Sequence, residues 1–137
     1  MEDRFLVRYW VKGSKKYLNS NKLVYNDGTY TQVSTKQLPS GEYISYILYD
    51  WNTSEIIPEQ CTGLKDKNGK LIYEGDIVRE FEKISVVCFG GGDYPYSFIL
   101  KHPRFYRGYA LLNYGYMRQE IEVIGNIHEN ADLLGEK

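Results

Sequence analysis

Histidine and cysteine are scarce in this chain: 137 residues hold two of each. Cys61 and Cys88 are too few and too far apart for a disulfide framework. Each has apolar neighbours, so both are read as buried reduced thiols. His102 and His128 have no second His or Cys at ligand spacing, so no metal site is expected. No charge of one sign is in excess either. There are 17 Lys and Arg against 18 Asp and Glu, a formal net charge of −1. That balance excludes a globally basic nucleic-acid binder and leaves room only for a local basic patch. No apolar run is long enough to span a membrane; the densest ones are strand-sized. Met1-Glu2-Asp3-Arg4 has no basic leader region, so no secretory signal is expected and the protein is placed in the cytoplasm. Asn52-Thr53-Ser54 has the form of a glycosylation sequon, which means nothing without secretion.

Catalytic patterns are missing as well. There is no Gly-x-Ser-x-Gly elbow and no suggestive Cys–His pair. Gly13-Ser14-Lys15 and Gly90-Gly91-Gly92 lack the phosphate-loop pattern and a following helix. Three acidic pairs, Glu74/Asp76, Glu80/Glu82 and Glu120/Glu122, are spaced to share a strand face. Such pairs suit a divalent cation or acid–base work. The plainer reading is a solvated face, or, for Asp76, a side chain bonding backbone amides in a turn. No acidic residue is followed two positions later by Lys, a common nuclease half-motif. No catalytic residue and no cofactor is expected, and the chain is not read as an enzyme; a nuclease using the acidic pairs is the enzyme alternative.

What the chain does have is aromatic residues, including 14 Tyr, and many short stretches of β pattern. Tyr suits half-buried pleated surfaces and interfaces. Residues 4–11 alternate in period two, followed by a turn at Gly13-Ser14. Leu23 to Tyr25 and Tyr30 to Val33 flank Asn26-Asp27-Gly28, a hairpin signal. Tyr43 to Trp51 is the longest β run. Alternation places Tyr43, Ser45, Ile47, Tyr49 and Trp51 on one face, and Ile44, Tyr46, Leu48 and Asp50 on the other. Large residues on both faces mean a strand inside a sheet, or one whose second face is an interface. Tyr43, Tyr46, Leu48, Tyr49 and Trp51 are the candidate interface residues.

Pro58 marks a boundary, with an N-terminal β-hairpin or sheet region over 1–58 and a second region over 59–137. Thr62 to Lys70 reads as a solvated tight turn, with left-handed backbone at Asn68-Gly69. Gly75-Asp76 interrupts an apolar run and predicts a sharp turn between two strand pieces. Strands are expected at Ile84–Phe89, Ser97–Leu100, Tyr109–Tyr114 and Ile121–Gly125, with Gly90 to Asp93 a flexible loop. Asn130 is placed to cap a short helical turn from Ala131 to Leu134. One segment has binding character. Lys101, Arg104 and Arg107 interleave with Phe105, Tyr106 and Tyr109, as in a single-stranded nucleic-acid groove where rings stack on bases.

Gln60 to Val78, read as Gln-Cys-Thr-Gly-Leu-Lys-Asp-Lys-Asn-Gly-Lys-Leu-Ile-Tyr-Glu-Gly-Asp-Ile-Val, resembles the signature of the YopX family, proteins of bacteriophages and prophages. Glu122 to Asn130 is similar to that family's closing motif, and Arg8-Tyr9-Trp10 to its opening Arg-x-Trp. Cys61 and His128 stand where an aromatic is usual. The resemblance implies a C-terminal SH3-like β-barrel, with additional antiparallel β-structure before it and little helix. It implies no catalytic or binding residue. The signature residues Gly63, Asn68, Gly69, Gly75, Asp76, Gly125 and Asn126 are turn chemistry, which builds a fold without declaring a ligand. The expected function is a non-enzymatic phage accessory protein that contacts a host or phage protein and acts as a homo-oligomer. The alternative is a small single-stranded nucleic-acid-binding barrel using residues 101–109. No membrane partner is expected.

Overall fold

The structure is a computed structural model that describes residues 6–18, 23–91, 94–102, 109–111 and 120–135, with backbone alone at 24, 46–49, 94 and 109–111. The described residues form twelve strands and two short 3-10 turns, Thr53–Glu55 and Ala131–Leu133, and no α-helix. The fold is mostly β and antiparallel, as expected. No helix among them is long and apolar enough to cross a membrane, which says nothing of strands. The chain divides into two compact units, Val7–Glu59 and Gln60–Lys137 with Met1–Leu6.

In the first unit, β1 (Val7–Val11) lies between β2 (Lys16–Tyr17) and the first half of β6 (Ile56–Lys65). Period-two alternation sends Val7, Tyr9 and Val11 to one side, where they pack with Trp51, Ile56 and Tyr30. The turn after β1 takes its left-handed residue at Lys15, not at Gly13. A second sheet has the order β3 (Val24–Asn26), β4 (Thr29–Gln37), β5 (Tyr43–Asn52). The Asn26-Asp27-Gly28 signal is borne out: Asp27 and Gly28 have φ of 48° and 84°. Both signs suit a two-residue turn whose twist matches the strands.

The Tyr43–Trp51 reading needs two corrections. Among the described residues β5 is an edge strand, not an inner one. It is also not regular. Gln32 registers with Tyr49 and Val33 with Ile47, leaving Leu48 as the extra residue of a bulge. A bulge inverts the alternation beyond it. Asp50 and Ser45 therefore share a face: Thr31 Oγ1 donates to Asp50 Oδ1 at 2.7 Å, and the Thr35 and Ser45 hydroxyls are 3.4 Å apart. Tyr43 follows Ser45, so Tyr43 and Trp51 lie on opposite faces, contrary to strict alternation.

In the second unit, the second half of β6 pairs with β7 (Leu71–Tyr73). A five-stranded sheet follows. Its order is β11 (Tyr109–Leu111), β10 (Tyr94–Lys101), β9 (Lys83–Gly91), β8 (Asp76–Glu80), β12 (Ile121–Asn126). Ile72, Val78, Val87, Leu100 and Ile121 form its core, with Leu64, Phe98 and Val123 packed on them. Each fully buried aliphatic side chain there contributes about 1.5–3 kcal/mol.

β6 runs through Pro58, which lies exposed in the strand, and the two units divide between Glu59 and Gln60. Other boundaries differ from expectation. The Thr62–Lys70 turn contracts to Asp66–Lys70, because β6 continues to Lys65 past a bulge at Gly63. Gly90 and Gly91 belong to β9 rather than to a loop; Asp93 lies outside the described residues, as do residues 112–114 of the expected Tyr109–Tyr114 strand. Asn130 stands at the N-cap position of the final turn, but its side chain makes no capping bond. Its Oδ1 instead accepts from the Asn126 N–H at 3.1 Å, closing the chain back on β12.

Candidate functional site

The signature residues are best understood by their backbone work. Asp66 directly follows β6 and is only 7 % exposed. Its Oδ1 accepts from the N–H groups of Asn68 and Lys70, and its Oδ2 from that of Val123, each at 2.9 Å. One carboxylate thus closes the turn on which Gly69 sits left-handed and ties that turn to β12. Burial pushes this carboxyl up. The three amide bonds and the Lys70 charge outweigh it, so its pKa lies below the ordinary aspartate value. Sequence reasoning missed Asp66 by treating the turn as solvated. The available signal was an Asp placed to accept from the amide two residues on, ahead of Asn-Gly.

The second motif turn is Gly75-Asp76. Gly75 is left-handed, with φ of 88°. Its N–H donates to Val87 O at 2.8 Å, and its C=O accepts from Ile127 at 2.9 Å. Asp76 is 1 % exposed, and its Oδ2 accepts from the Tyr73 N–H at 2.8 Å. The turn-bonding reading of Asp76 therefore holds. In the third, Asn126 Oδ1 accepts from His128 and Glu129 at 3.0 and 2.9 Å. A Cβ on Gly125 would come within 2.5 Å of Asn130 Oδ1. The backbone bonds at these turns hold strands in place.

None of the acidic pairs shares a strand. β8 starts at Asp76 and stops at Glu80, and β12 starts at Ile121, so each pair straddles a strand end. Glu122 is held instead by Arg79, whose Nη2 donates at 2.7 Å. That bond and the nearby Lys67 charge keep its carboxyl below the usual range. Burial pushes the Cys88 thiol up, away from the thiolate a nucleophile needs.

A polar cluster that sequence reasoning did not single out lies on the other side of β1. Glu59 is 3 % exposed, and its Oε1 accepts from Arg8 Nε and from the Tyr17 hydroxyl, both at 2.8 Å. The Arg8 guanidinium lies 4.5 Å from the Tyr17 ring centroid, and Trp10 meets the same ring edge-on. The opening Arg-x-Trp thus has a packing role: period two puts Arg8 and Trp10 over one tyrosine.

Of the basic-aromatic segment, Lys101 ends β10 exposed and registers with Tyr109, the first residue of β11. β10 and β11 are antiparallel neighbours. Arg104, Phe105, Tyr106 and Arg107 lie outside the described residues.

The β4–β5 ribbon carries exposed residues over Val33, 35–37 and 41–45. β3 covers β4 only over Thr29–Thr31. Beyond Gln32 the two strands have only each other among the described residues. Val33, Tyr43 and Ile44 are 40, 69 and 44 % exposed there. Trp51, by contrast, is buried against Tyr9, Val11 and Ile56 and offers no surface. Tyr46, Leu48 and Tyr49 have described backbone only. The hairpin also fixes which backbone groups are free. Leu38 N–H donates to Glu42 O at 2.7 Å, and Gln37 registers with Tyr43. Pairs alternate along an antiparallel ladder. So the 36/44 and 34/46 pairs bond, and the N–H and C=O groups of Tyr43, Ser45 and Ile47 point away from β4.

Phe81 makes a second exposed feature. It sits in the two-residue turn between β8 and β9, 71 % exposed, with φ of 55°. A left-handed conformation costs a non-glycine residue about 1–2 kcal/mol. Phe81→Gly should raise stability by about 0.5–1 kcal/mol, the strain relief less the entropy of a glycine. Thermal melting checks this; an unchanged or lower Tm would mean that the ring packs usefully.

The sequence profile described as "YopX protein" matches residues 7–135. Among solved structures, the crystal structure of protein EF1440 from Enterococcus faecalis is similar at 28% identity and a TM-score of 0.58, covering 94% of this chain and 96% of that one. No curated protein matches.

Proposed function

This chain belongs to the YopX family, and from that premise we propose that it is a non-enzymatic interaction module, of phage or prophage origin, that acts as a homo-oligomer in the host cytoplasm. The five-stranded unit is read as the SH3-like barrel of the family, with the first unit supplying the contact. One observation carries the reading: a ribbon exposed on both faces, with a β5 edge beside Tyr43 and Ile44 that is unpaired among the described residues. Two-stranded ribbons are marginally stable in water, and unpaired edges attract further strands. Of the buried carboxylates, Asp66 and Asp76 are occupied by backbone amides and Glu59 by Arg8 and Tyr17.

Light scattering at tens of micromolar tests this. A mass above 16.0 kDa is expected, falling to the monomer in Tyr43→Glu with Ile44→Glu. The same charge at Lys67, in the Asp66–Lys70 turn, should not dissociate it. A monomeric wild-type protein that shifts on adding a single-stranded oligonucleotide would favour the alternative, the segment from Lys101 to Tyr109.

A further inference from the structure

Resting on that reading, we infer that two copies join edge to edge, β5 against β5, antiparallel, with Ser45 on the twofold axis. The outward N–H and C=O groups are those of Tyr43, Ser45 and Ile47, as the hairpin phase requires. The Leu48 bulge ends the regular edge on one side, and the turn before Tyr43 ends it on the other. Antiparallel self-pairing must put outward residues opposite outward residues. Only with position 45 opposite itself do all three take part: 43 faces 47, 45 faces 45, and 47 faces 43. Each such pair exchanges two backbone hydrogen bonds.

The sequence fits this register. Tyr43-Ile44-Ser45-Tyr46-Ile47 is self-complementary when reversed. Position 43, a Tyr, meets position 47, an Ile; position 44, an Ile, meets position 46, a Tyr; Ser meets Ser. Aromatic–β-branched and hydroxyl pairs are favoured across strands. A shift that centred the axis on position 46 would set Glu42 opposite Asp50, and like charges facing each other repel. The run Tyr43 to Tyr49 holds no charge, Pro or Gly. It lacks the devices that keep an edge from pairing, apart from the bulge that limits its length. A second copy supplies an edge of matching length, phase and side-chain order, which is why it is the occupant assigned here.

Ser45→Cys in a Cys88→Ser background tests the register. Bonded pairs hold Cα atoms about 5.5 Å apart, within disulfide reach. Under mild oxidation most of the chain should run as a covalent dimer in denaturing gels. Thr35→Cys, exposed on the inner strand, should give at most a tenth of that yield. Ile44→Cys with Tyr46→Cys should also cross-link if Ser45→Cys alone is sterically poor. An oligomer by light scattering that cross-links through neither β5 variant overturns the register and leaves the oligomer standing. A monomer at all concentrations overturns both.

Discussion

Asp66→Ala should cost about 3–5 kcal/mol, since it strands three amides in a largely buried site and each such loss is worth about 1–3 kcal/mol. The N–H groups of Asn68, Lys70 and Val123 all lose their acceptor at once. The loss is comparable to the whole stability of a marginal domain. Asp66→Asn keeps one oxygen and turns an NH2 toward the remaining donors, so it should fall between wild type and Ala. The charge adds a pH signature. Because the folded pKa lies below the unfolded one, the stabilisation is complete above the unfolded value, about 3.9. It is lost as pH falls through the folded value. The urea midpoints of wild type and Asp66→Asn should therefore converge below about pH 4. Equal midpoints at pH 7 would show that the side chain is merely solvated.

Gly75→Val should cost about 2–4 kcal/mol, the sum of a left-handed β-branched residue and overpacking at a buried turn. Gly75 is buried and bonds β9 through its N–H and the residue after β12 through its C=O. Any escape from φ of 88° breaks one of those bonds. Gly75→Ala should lose less, since only the branched side chain adds crowding. A Tm for Gly75→Val within a degree of wild type would sink this account of the signature.

The contrast between these two residues shows what was legible in the sequence. Gly75 could be found because a glycine inside an apolar run has few explanations. Asp66 was only partly legible: its bond to the Asn68 amide is local, but its third bond goes to Val123, which lies 57 residues away, and charged residues near Asn-Gly usually face water. The same limit applies to Tyr43–Trp51. Its strand character is plain from composition, yet a bulge at Leu48 leaves no local mark, since it depends on the register with β4. Pro58 lies inside β6, because an exposed proline can sit in a strand wherever its missing N–H has no partner to serve, and the two units divide beside it, between Glu59 and Gln60. Asn130 shows two local uses of one carboxamide, capping forward or closing backward, and only packing chose between them.

The central claim is that the outward edge of β5 is paired in the working protein. Amide hydrogen exchange read as a function of concentration tests it most directly. The N–H groups of Tyr43 and Ser45 point away from β4, while that of Ile44 bonds within the hairpin. With a second copy on the edge, Tyr43 and Ser45 should be protected at hundreds of micromolar and lose that protection on dilution. Ile44 should then change far less. Exchange at Tyr43 and Ser45 that is fast and independent of concentration would contradict the account.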